Sequence, residues 1–126
     1  METKKLSVEF MHVCENAIIE QGTGNITVVC IFQNINAENF PALHPTMDIV
    51  VGFEGEPGAY EIEFVFSDEK EKILTMPSKF NIGQNRKGNL VDHFVGYSIP
   101  RDMKQKIEIK HEGETIFTKY ITVNNK

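Results

Sequence analysis

His12 and Cys14 stand two positions apart, the spacing that puts two side chains on the same face of a strand and could present two ligands to a metal. A structural zinc needs four ligands, and with Cys30 as the nearest candidate the set stays one short, so no metal site is expected. Asp92-His93 resembles a general base beside its orienting carboxylate, yet adjacent strand residues point to opposite faces and cannot readily bond each other. No serine stands in a Gly-x-Ser-x-Gly elbow. The acidic stretch from Glu54 to Glu71 lacks the closely spaced Asp ligands of a calcium loop, and its Glu61 and Glu63 alternate like the wet face of a strand. Gly22-x-Gly24 and the Gly83–Gly88 segment open no helix that could hold a phosphate. No catalytic residue, cofactor or metal is expected, and an enzyme is the least favoured class.

What could bind lies in two long connections. The first spans Gln33 to Thr46 and carries Phe40, Leu43 and His44, either as a plug under the end of the fold or as an exposed anchor. The second spans Pro77 to Asn89 and carries Lys79, Phe80, Arg86 and Lys87, a basic segment with one aromatic residue that could meet an acidic partner. These seven residues are the candidate partner-binding set. For a sugar or other small ligand, Tyr97 and Tyr120 are the available ring platforms, since the chain has no Trp and Tyr60 reads as core.

The elements that must position these residues are strands. Period-two alternation recurs throughout, broken every 8 to 15 residues by turn chemistry. The cleanest strand is Ala59 to Ser67, with Tyr60, Ile62, Phe64 and Phe66 facing inward. The segment from Leu6 toward Ile19 should reverse at Gly22-Thr23-Gly24, which would place Cys14 opposite about residue 30 or 31 on the returning strand. An irregularity is expected near Glu15-Asn16. Val28 to Phe32 is apolar on both faces and reads as a central strand. Met47 to Phe53, Lys72 to Met76, a short edge strand at Phe80 and Ile82, and Leu90 to Ile99 follow. A C-terminal hairpin around Glu112-Gly113-Glu114 closes the chain, with Lys106 and Lys110 placed like charges that guard a sheet edge.

At 126 residues, 40% hydrophobic and 25% charged, the chain fits one domain over residues 1–126 with a core that needs no staples. The expected architecture is all-β: a two-layer antiparallel β-sandwich of about eight or nine strands, immunoglobulin-like in plan, with a closed barrel as the competitor. The tryptophan and cysteine hallmarks of a true immunoglobulin domain are missing, and two cysteines make no disulfide framework. A net charge of −5 argues against nucleic-acid binding. No secretory signal or membrane-spanning run is apparent, so a cytoplasmic location is expected.

Cys14-Glu15-x-Ala17, Ile26-x-Val28-x-x-Ile31-Phe32-x-x-Ile35, Phe40-Pro41 and Gly58-x-Tyr60-x-Ile62-x-Phe64 together resemble a family of small, uncharacterised bacterial all-β proteins. The resemblance implies a sandwich and supplies no catalytic residue. The expected role is therefore a non-catalytic binding or assembly module, acting through loops or edge strands on a protein partner or a second copy. The alternative is a small-ligand or carbohydrate-binding sandwich.

Overall fold

Nine strands and no helix make up the regular structure of the computed structural model, which describes residues 5–31 and 34–125, without the side chains at 42–46, 95–97 and 125. They are β1 (Leu6–Ile19), β2 (Ile26–Ile31), β3 (Asn34–Ala37), β4 (Ala42–Gly55), β5 (Gly58–Ser67), β6 (Lys72–Ile82), β7 (Lys87–Ile99), β8 (Met103–His111) and β9 (Glu114–Asn125). They form two sheets, one of four strands in the order β2-β1-β4-β7 and one of five in the order β3-β9-β8-β5-β6. The larger sheet curls toward a half-barrel.

Alternation explains why each strand keeps its face. On β5, Tyr60, Ile62, Phe64 and Phe66 are buried as the pattern requires, while Glu61 is exposed between them. They meet Ile107 and Ile109 from β8, and Val13, Ile49, Phe53 and Phe94 from the four-stranded sheet, in one hydrophobic cluster shared by both sheets. Phe53 stacks on Phe80 at 4.2 Å between ring centroids, and Phe94 tilts against Phe66 at 5.3 Å. Each such side chain taken wholly out of water contributes about 1.5–3 kcal/mol. The core therefore sits between the sheets.

Several expected placements are corrected. β2 is an edge strand and not a central one, because β1 lies on its one paired side. β8 lies between β9 and β5, so Lys106 and Lys110 guard no edge; they sit half-buried on the outer face of an interior strand. The described part of the first long connection holds β3, a short turn and the start of β4, and Gln33 lies outside the described residues. The second connection is mostly strand. β6 runs unbroken through Pro77 to Ile82, which an edge position tolerates because an outward-facing backbone has no ladder bond to lose. Only residues 83–86 turn, with the Arg86 N–H donating to the Gly83 carbonyl at 3.0 Å. Nor are all pairs antiparallel, since β3 runs parallel to β9 from Asn34↔Thr122 to Ala37↔Asn125. The irregularity in β1 falls between Val8 and Phe10, earlier than Glu15.

The first hairpin has the expected register, with Cys14 opposite Ile31. The two thiols are nonetheless free: Cys14 is buried and Cys30 exposed, with Cys30 held at φ +56°.

β6 and β7, joined by the tight turn, bring the two sheets together along one side. There the Ser78 hydroxyl donates to Asp92 Oδ2 at 2.5 Å. Burial holds the Asp92 carboxyl above the usual aspartate range, against the Ser78 hydrogen bond and the nearby His93, which both pull it down. The folded state thus keeps this proton to higher pH than the unfolded chain does. Its stability falls as pH rises from the ordinary aspartate value through the raised one. Asp92→Asn keeps an acceptor for Ser78 and cannot ionise. Its stability relative to the parent, measured by urea midpoints across a pH series, is expected to increase over that window; a pH-independent difference would contradict the assignment.

Candidate functional site

One face of the four-stranded sheet packs into the shared core. The other carries a small separate cluster of Cys14, Ala17 and Val50, with Ile26, Val28 and Val91 against it. Strand register lays Cys14, Asp48 and His93 in one row across β1, β4 and β7 on this second face. Asp48 is only 4% exposed. Its Oδ2 accepts the Ala17 N–H at 2.7 Å, and its Oδ1 lies 2.7 Å from His93 Nδ1. The Cys14 thiol donates to the Asp48 carbonyl at 3.5 Å.

This is an imidazole with an orienting carboxylate, half of a hydrolytic triad. The order is wrong for the other half. A nucleophile must meet the far nitrogen of the histidine, whereas here the carboxylate stands between thiol and imidazole. Burial, with Asp48 adding to it, also pushes the Cys14 thiol up and keeps it protonated. The row acts as a brace. Beyond Cys14, β1 no longer pairs with β4, and the Asp48 carboxylate takes over the backbone amide of Ala17 that the ladder no longer serves. Asp92 and His93 do point apart, as strand geometry requires; the true partner of His93 is Asp48. The signal for it was a lone Asp inside the otherwise apolar run Met47 to Phe53.

The five candidate partner-binding residues whose side chains are described do not converge. Phe40 is half-buried and packs against the core. Leu43 and His44 fall on β4 opposite Ser98 and Tyr97, and their side chains lie outside the described residues, as does that of Tyr97. Lys79 is exposed on β6, 3.8 Å from Glu61, a pair of small energetic weight. Phe80 is 8% exposed and belongs to the core, which removes it as a docking anchor. Arg86 sits in the β6–β7 turn at φ +67°. The Lys87 ammonium is held by Glu9 at 2.8 Å and Glu54 at 2.9 Å, which raise it above the usual lysine range. The basic loop of the sequence expectation thus resolves into a core ring, a neutralised lysine and two separate cations. Tyr120 is exposed, with the Lys104 ammonium 4.8 Å above its ring.

The exposed apolar side chains do gather. Phe10, Ile18, Ile19, Val29, Ile31 and Tyr120 are the large hydrophobic residues left open to water among those described, and all but Tyr120 lie on β1 or β2. Val29 and Ile31 are on β2 itself, 41% and 52% exposed. The four sheet edges differ in how they are guarded. β6 carries Lys72, Pro77 and Lys79, and faces β7 through Ser78 and Asp92. β7 carries Lys87, Asp92 and His93. β3 is only four residues long. β2, Ile-Thr-Val-Val-Cys-Ile, has neither charge nor proline.

A family model described as a family of unknown function (DUF6941) matches residues 9–124. No curated protein matches the chain.

Proposed function

Because the chain belongs to DUF6941, a family of unknown function, we propose its role from the molecule's own surface: it is a non-catalytic assembly module that adds a strand of a protein partner to the β2 edge. The observation that carries this is an uncharged edge strand, paired on one side only, that exposes Val29 and Ile31 next to a β1 end exposing Ile18 and Ile19. An extended partner strand would gain main-chain hydrogen bonds from β2 and cover Val29 and Ile31, which β2 leaves exposed. We read the two sheets, which share one core, as the layers of an immunoglobulin-like sandwich, a plan that leaves edges free for such pairing. A cytoplasmic setting agrees with two free cysteines.

The test is a pair of charges on the edge. Val29→Lys with Ile31→Lys is expected to leave the thermal midpoint within a few degrees, because both side chains already face water. The same change should abolish both concentration-dependent self-association in sedimentation velocity and stoichiometric capture of a partner from native cells. If the parent neither self-associates nor captures a partner, or if the charged variant does so equally well, the edge is not the working surface.

A further inference from the structure

At the end of the molecule where β1 starts and β4 finishes, a cleft of about 620 Å³ opens between the two sheets. That is within the range of small-molecule sites, about 300–1,000 Å³. One wall comes from the four-stranded sheet and the turn that enters it, and holds Lys5, Glu54 and Arg86. The other comes from the β8–β9 turn and holds His111, Glu112 and Glu114.

The walls carry opposite charge. Glu54 is already matched, its carboxyl held below the ordinary glutamate range by the Lys87 hydrogen bond. Lys5 and Arg86 remain, and neither is in an ion pair among the described residues. Across from them, among the described residues, Glu114 has no cationic partner and Glu112 approaches only His111 Nε2, at 3.9 Å. His111 is 8% exposed, packs against the Tyr60 ring and has no hydrogen bond within the described residues. Among the described residues, Lys5 and Arg86 on one wall thus form no ion pair with Glu112 and Glu114 on the other, and a molecule carrying both charges could bridge the two walls.

Backbone strain points to the same place. Three residues other than glycine adopt positive φ among those described: Cys30, Arg86 and Glu112. Two of these line this cleft, one on each wall. A long side chain in the left-handed region is strained where Gly or Asn would largely not be. Both turns nevertheless present a charged side chain there.

We propose that this cleft binds a small zwitterion of the amino-acid or short-peptide class, its carboxylate held by Lys5 and Arg86 and its ammonium by Glu112 and Glu114. His111 forms the buried polar part of the lining. The site is separate from the β2 edge and does not depend on it.

Triglycine serves as the probe, with N-acetyl-triglycine and triglycine amide as controls of similar size that each lack one charge. In amide-resolved NMR titrations of the full chain, triglycine is expected to give saturable shifts at Gly55, Arg86, His111 and Glu112. Each capped peptide should bind about tenfold more weakly or worse. Arg86→Asn and Glu112→Asn suit positive φ, so the fold is expected to hold or gain stability while triglycine affinity drops by a similar factor. No saturable shift with triglycine would overturn the proposal, as would equal binding of either capped peptide or unchanged affinity in both variants. Val29→Lys with Ile31→Lys should leave this titration unaltered, which keeps a failure here distinct from a failure of the strand-addition role.

Discussion

Replacing Phe64 with alanine is expected to remove about 3–5 kcal/mol of unfolding free energy. Phe64 is fully buried on β5, between Met76 on β6 and Ile109 on β8, and its ring meets Phe94 of the other sheet edge-on at 6.4 Å. Its loss costs the transfer of the ring to water and leaves a cavity at the seam between the sheets, where strands tied by two ladders cannot easily collapse inward. A domain of ordinary stability has about 5–15 kcal/mol in all, so the variant should be marginal at 37 °C. Phe64→Leu keeps much of the volume and should lose clearly less. Urea unfolding of the three proteins gives the comparison. A loss below about 1 kcal/mol for the alanine variant would mean that the seam is not packed as described.

Asp48→Ala should have the next largest effect, about 1–3 kcal/mol, for a different reason. Little apolar surface is lost, but the Ala17 N–H is left without its acceptor beside a buried cluster, and His93 loses its anchor. The damage should be local. Amide exchange at Ala17 and along the β1–β2 hairpin is expected to accelerate, while β5 and β8 remain protected. Asp48→Asn retains an acceptor for one of the two donors and should fall between parent and alanine. If exchange instead rises evenly over both sheets, the carboxylate supports the whole fold and does not specifically brace the hairpin.

Much of this fold was legible in the residues, and the exceptions share a cause. Alternation assigns faces, so the inward set on β5 and the Cys14–Ile31 register could be read directly from pattern and turn. Neighbours are another matter. Val28 to Ile31 looks the same whether a strand is covered on both sides or left at an edge that awaits a partner, and only the assembled sheet separates the two. β3, four residues with a single buried isoleucine, is too short to show a period, and its parallel partner lies at the far end of the chain. Asp48 escaped for the converse reason. It interrupts an apolar strand, and what satisfies it comes from two other strands whose adjacency no local pattern encodes. The charged cleft is likewise built from four separate turns and strand ends, of which Arg86 alone stood among the expected binding residues.

The parallel pairing of β3 with β9 also bears on how the protein is made. β3 is synthesised well before its ladder partner Thr122–Asn125, and the Asn36–Asn124 side-chain bond joins residues 88 positions apart. The four-stranded sheet has all of its strands by Ile99 and could assemble on the nascent chain. The five-stranded sheet cannot finish until Thr122–Asn125 has cleared the ribosomal tunnel. Through that interval β3 is an orphan strand and the outer side of the shared core lacks Ile121 and Val123. Emergence of β9 therefore times the final closure of this domain, and a chain stalled before that point would leave the core residues that Ile121 and Val123 pack against open to the cell's quality-control machinery.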